Sequence, residues 1–123
     1  MGIDIYMTWD KQTEDEKQAQ YQGFSIEHGH VGYLREAYHG NPYATRHLVQ
    51  EAFESEDGEA FIDAKTLRER LPETLKLHIQ RQWEIYKEDI NLESPSAEAF
   101  TAFVELAERL TEQGKPPRFI ASY

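Results

Sequence analysis

Hydrophobic and polar positions alternate from the start of the chain: Ile3, Ile5, Met7 and Trp9 are separated by Asp4, Tyr6 and Thr8. A period of two puts those apolar side chains on one face of an extended segment, so a strand with one side in a core is expected over about residues 2–9. Thr13 followed by Glu16 fits a capping box, in which each side chain bonds the other residue's backbone N–H. The polar run to Gln22 then reads as a helix stopped by Gly23. Phe24 to His28, with Phe24 and Ile26 as its apolar set, carries a short second strand pattern. Val31 to His39 reads as a short helix closed by Gly40, and Asn41-Pro42 opens another that runs to about Glu54, so the pair is expected as a helical hairpin.

Glu54 to Glu59 is a polar, acidic loop, after which Asp63 can cap a long helix. In it Leu67, Leu71, Leu75, Ile79, Trp83, Tyr86 and Ile90 recur at spacings of three and four, the stripe of a half-buried helix. Pro72 interrupts the stripe, and because proline removes a backbone donor and crowds the preceding turn, a kink or a break is expected there. Ser94 and Ser96 bracket Pro95 ahead of a last helix with Phe100, Phe103, Val104, Ala107 and Leu110 on one face, ended by Gly114 and Pro116-Pro117. Arg118 to Tyr123 is β-prone and suited to pair with the first strand, which would bring the two chain ends together. Strands at the ends with helices between do not alternate as a parallel βαβ array does. The expected fold is therefore α+β and predominantly helical. Its small sheet would include the N-terminal strand and the segment at about 118–123, with about five helices between, in a single domain over residues 1–123.

Composition narrows the function classes. With 123 residues and no cysteine, the chain is long enough to build a core without staples, and disulfides, thiolate nucleophiles and cysteine-ligated zinc are excluded. Acidic residues number 23 against 13 basic ones, a net charge of −10 that disfavours nucleic acid and anionic lipid. The first residues lack the basic start and apolar run of a signal peptide, Tyr6 stands where a myristoylation site needs Ser or Thr, and no segment is apolar enough to span a membrane. A cytoplasmic location is expected.

Familiar catalytic patterns fail by inspection. Gly23-Phe24-Ser25-Ile26-Glu27 lacks the closing glycine of a nucleophile elbow, and an EF-hand around Gly58 would put Phe53 and Ala64 at ligand positions. The densest chemistry lies in Glu27-His28-Gly29-His30-Val31-Gly32-Tyr33-Leu34-Arg35-Glu36-Ala37-Tyr38-His39-Gly40. Were residues 28–30 extended, His28 and His30 would project from one face and could hold a divalent metal, with Glu27, Glu36 or His39 adding a ligand. Were residues 32–39 helical, Arg35 and His39 would share a face suited to an anion. Against both readings, the glycines of this stretch can serve a tight turn alone.

Trp9, His28, His30, Tyr33, Arg35, Tyr38 and His39 are thus the ligand-binding candidates, and His28 and His30 the metal candidates. His78 lies on the apolar side of the long helix, where a core histidine with a satisfied hydrogen bond is the ordinary case. Tyr43, Trp83 and Tyr86 add aromatic surface for a pocket, a core or a dimer contact.

Three functions fit. The first is an interaction module meeting a basic protein through Glu51, Glu54, Glu56, Asp57 and Glu59. The second is a small-molecule or metal-binding protein, or an enzyme, centred on residues 27–39. The third is a homo-oligomer contacting itself through the helix from Pro72 to Ile90. Charge and the missing motifs put the interaction module first.

Overall fold

In the computed structural model, residues 2–22, 29–38, 42–88 and 96–123 are described, excepting the side chains of 21, 22 and 84–88. Strand β1 (Gly2–Thr8) follows its alternating pattern, with Ile3, Ile5 and Met7 buried. It lies in the middle of a four-stranded antiparallel sheet of order β2-β1-β4-β3, formed with β2 (Tyr33–Ala37), β3 (Glu59–Phe61) and β4 (Arg118–Ser122). The C-terminal strand pairs directly with the N-terminal one, Ile5 opposite Ala121 and Met7 opposite Phe119, so both ends of the chain are held at the centre of the sheet.

The core face of the sheet, carrying Ile5, Met7, Leu34 and Phe119, is covered by helices. These are α1 (Glu14–Gln22), α2 (Ala44–Leu48), α3 (Gln50–Glu54), α4 (Ala64–Glu88) and α5 (Ala97–Glu112). Helix α1 opens with the expected capping box: the Thr13 N–H donates to Glu16 Oε1 at 2.9 Å and the Glu16 N–H to Thr13 Oγ1 at 3.1 Å. Helix α5 starts at Ser96, whose Oγ accepts from the Ala99 N–H at 3.1 Å. It ends in a Schellman motif, with Lys115 N–H bonding Leu110 C=O at 2.8 Å and Gly114 at φ 74°. Phe100, Phe103, Val104 and Ala107 are its fully buried stripe.

Several expected elements differ. The segment read as a helix over 31–39 is a 3₁₀ turn (Gly29–Val31) followed by strand β2, so no helical hairpin forms. Its alternation is masked in the sequence because the core-facing row holds a charged residue, Glu36, while the opposite row holds Tyr33 and Arg35. The helix expected over 42–54 is split at Val49, whose φ −121° and ψ 44° interrupt the ladder between α2 and α3. Glu59, read as loop, begins β3, a strand of only three residues with too little pattern to see. Pro72 does not break α4, which runs on for 25 residues, about 37 Å at the usual helical rise; the ring is exposed, on the outside of the turn. The strand expected over 24–28, the caps at Gly23, Gly40 and Asn41, and Ser94, Pro95 and Ile90 lie outside the described residues.

Helix α4 also departs from the expected stripe. Positions repeated every four residues drift about 40° per step around a 3.6-residue turn, so Trp83 stands about 160° away from Leu67. The buried line follows 67, 71, 74 and 78, whose ends differ by about 20° on that geometry: Leu67, Leu71, Thr74 and His78 are buried, whereas Ile79 and Trp83 are 52% and 70% exposed.

Two buried polar side chains join the layers. Glu36 is 1% exposed and points from β2 at the start of α2, where its carboxylate accepts from the Ala44 N–H (3.2 Å), the Thr45 N–H (3.0 Å) and Thr45 Oγ1 (2.6 Å). It does the work of an N-cap from a different strand, since Tyr43 at the cap position supplies no side-chain bond. Gln20 reaches from α1 to donate to the Met7 carbonyl at 2.8 Å and the Val31 carbonyl at 2.9 Å.

Candidate functional site

The pleat and register decide what faces outward. On the sheet surface turned away from the core, Arg35, Asp4 and Ser122 form one cross-strand row, Tyr33, Tyr6, Ile120 and Glu59 a second, and Thr8, Arg118 and Phe61 a third. The first two rows are closed by a polar cluster. Tyr33 donates its hydroxyl to Asp4 Oδ1 at 2.6 Å, and Arg35 Nη1 donates to both Asp4 oxygens at 3.0 and 3.2 Å. The Tyr6 and Tyr33 rings stack at 5.0 Å. Burial, together with the bond to Asp4, raises the Tyr33 phenol well above its ordinary pKa. Burial works against the Arg35 cation, yet Tyr33 and Asp4 outweigh it and hold the guanidinium above its usual value.

The third row opens into a cleft. Thr8, Arg118 and Phe61 meet Trp9 and Asp10, where the chain leaves β1, and Lys115, where it approaches β4, around a volume of about 350 Å³. The Arg118 guanidinium lies 4.7 Å from the centroid of the Phe61 ring, which is 62% exposed. Among the described residues neither Lys115 nor Arg118 makes an ion pair. A second cleft, of about 260 Å³, lies beyond Trp9 and is mostly apolar, with Ala19, Val31 and Leu106 beside Asp15, Glu16 and His30. Trp9 therefore borders both.

Of the residues singled out in the sequence, Trp9 and His30 come together, on the second cleft. Tyr33 and Arg35 do not join them; they are occupied by Asp4 on the outer sheet surface. Tyr38 is exposed just past β2. His28, His39 and Glu27 lie outside the described residues, and His30 sits in the 3₁₀ turn, so the extended geometry invoked for a two-histidine metal site does not hold at that position. Nor do Arg35 and His39 share a helix face, because Arg35 belongs to a strand. Among the described residues no group of three or more His, Asp or Glu side chains could hold a metal ion. Gly29 has a packing role: a Cβ there would stand 1.8 Å from the Ala99 carbonyl oxygen, so only glycine lets the turn lie against the start of α5. His78 is buried with its ring 5.3 Å from that of Phe100, a core position.

The expected acidic face is partly spent internally. Arg70 grips Glu51 with Nη1–Oε1 at 2.6 Å and Nη2–Oε2 at 2.8 Å, and that bond leads the causes that lower the Glu51 pKa. Asp57 accepts from Ser55 Oγ at 2.6 Å and from the Glu59 N–H at 3.1 Å, and is lowered chiefly by the serine. Glu108 is lowered by its pair with Arg68. Asp4, Phe61, Lys115 and Arg118 had no sequence signal, for only strand register brings them to their neighbours. The chain matches no protein-family model, no curated protein and no solved structure.

Proposed function

We propose that the chain is a protein-interaction module that associates with a second copy of itself through the outer side of α4. The observation that carries this reading is the exposure of Ile79 and Trp83, at 52% and 70%, one turn apart on the same helix. A tryptophan so exposed is uncommon on a surface that meets only water, and tryptophan is the residue type most enriched among those that dominate interface energy. Their surroundings suit a like copy. Between Pro72 and Trp83 the charged neighbours of this side are Glu73 and Lys76, with Gln80 and Gln82 uncharged, so this stretch lacks the acidic excess that elsewhere makes a −10 chain repel itself. An isologous contact lets each Ile79 and Trp83 cover its counterpart.

An acidic docking face for a basic protein is supported less well. Glu51 and Asp57 are engaged internally, and the other exposed acids are spread over α1, the 54–59 turn, α4 and α5. The absence of cysteine fits a reducing compartment such as the cytoplasm. No helix among the described residues is long and apolar enough to cross a membrane.

Light scattering after size exclusion tests the reading with Ile79→Asp and Trp83→Asp. Both positions are exposed, so the variants are expected to fold as the parent does, with the dimer weakened at least about tenfold, as the loss of a central apolar anchor implies. Association that survives both substitutions would overturn the reading.

A further inference from the structure

We propose that the cleft bordered by Trp9 and Phe61 binds a small planar anion, an aromatic ring bearing a carboxylate or phosphate. None of its residues belongs to α4, so the inference stands apart from the self-association just described.

The argument begins with register. Thr8, Arg118 and Phe61 lie side by side across β1, β4 and β3, and alternation turns all of them to the sheet surface away from the core. At that end of the sheet β1 runs out into Trp9 and Asp10 while Lys115 leads back toward β4, so the row acquires a wall on either side. The resulting volume, about 350 Å³, lies within the range of small-molecule sites.

The lining has two kinds of chemistry. Trp9 and the largely exposed Phe61 offer apolar ring surface of the sort that prefers another flat ring to water. Lys115 and Arg118 offer positive charge in a chain with ten more acidic than basic residues, and neither is neutralised by an ion pair among the described residues. Arg118 is already preorganised. Its guanidinium lies over the Phe61 ring at 4.7 Å, and stacking of that kind leaves the in-plane N–H groups free to grip a carboxylate or a phosphate. Thr8 adds a hydroxyl at the floor of the same row. Asp10 on the rim subtracts one charge from the two lining cations, and Asp57 nearby also interacts electrostatically with Arg118, so the positive excess is modest and sets a further expectation: Asp10→Asn should tighten binding of an anion.

The chain has two tryptophans, so 5-fluorotryptophan labelling gives one ¹⁹F resonance for Trp9 and one for Trp83, assigned with Trp83→Phe. The labelled protein is titrated with adenosine 5′-monophosphate and, separately, with benzoate. Adenosine and inorganic phosphate serve as the ring alone and the anion alone. A saturable shift of the Trp9 resonance, with Trp83 unmoved, is expected for at least one of the two ring anions: the nucleotide if the natural anion is a phosphate, benzoate if it is a carboxylate. Adenosine and phosphate alone should each bind at least about tenfold more weakly, as should the matching anion to Lys115→Ala and Arg118→Ala, the size of one charge-assisted hydrogen bond. Both side chains sit at the surface, and circular dichroism checks that the variants stay folded. The inference is overturned if neither ring anion gives a saturable shift at Trp9, if inorganic phosphate binds as tightly as the nucleotide, or if the two variants bind like the parent.

Discussion

Glu36 shows how much of this fold depends on a single residue that looks misplaced. A carboxylate facing the core would be costly if unpaired, but its oxygens take three hydrogen bonds from Ala44 and Thr45 at the start of α2. Glu36→Gln keeps the shape and replaces one acceptor oxygen with an N–H₂, which must then confront a donor. A loss of about 2 kcal/mol is expected from the buried group left unsatisfied, read as a shift of the urea midpoint; an unchanged midpoint would refute the trans-capping role. Tyr33 gives a second test at this scale. Its phenol is raised, chiefly by burial and then by Asp4, so the neutral form is favoured in the folded state. The stability this contributes is complete below the unfolded tyrosine pKa of about 10 and is lost as pH rises through the higher folded value. Subtracting the alkaline absorbance titration of Tyr33→Phe from that of the parent isolates this phenol. No ionisation is expected around pH 10, and an ordinary midpoint there would contradict the Asp4 cluster.

At the scale of elements, α4 separates the local rules from the tertiary ones. Pro72 denies the Arg68 carbonyl its intrahelical donor, yet the helix continues because the turns on either side are held by Leu67, Leu71 and Thr74 in the core. Pro72→Ala restores the bond, and the ring it removes is exposed. A gain of about 1–3 kcal/mol in urea unfolding is expected, less than the full propensity difference because alanine also frees the unfolded chain; a destabilised variant would show that the proline packs against something. The elements legible in the sequence were those with local signatures: the alternation of β1, the Thr13–Glu16 box, Ser96 at the head of α5, Gly114 at its end, and a β-prone C-terminus. Strand β2 was not legible, because its core-facing Glu36 and outward Tyr33 and Arg35 each depend on a distant partner. The candidate site suffered most from this. Trp9 and His30 were named and do share a cleft, but Arg118, Phe61 and Lys115 acquire meaning only through the pairing of β1, β4 and β3.

For the molecule as a whole, the distribution of charge matters more than its sum. Internal pairs with Arg35, Arg68 and Arg70 engage Asp4, Glu108 and Glu51, and other exposed acids of the described residues fall on α1, the 54–59 turn, α4 and α5. The side of α4 around Ile79 and Trp83 is where apolar surface and balanced charge coincide. A contact built on two such side chains per copy is small, so the expected dimer is weak, with a dissociation constant on the order of micromolar to hundreds of micromolar. Its salt dependence has a definite sign. Screening weakens the repulsion between two −10 chains and leaves apolar burial intact, so added salt should strengthen the dimer, whereas capture of a basic protein by an acidic face would weaken. Sedimentation equilibrium of the unaltered protein over a wide concentration series, at low and high salt, therefore addresses the proposed function most directly. A weight-average mass that climbs toward twice the monomer value, and climbs sooner at high salt, is the expected result; a monomer mass at every concentration in both salts would contradict it.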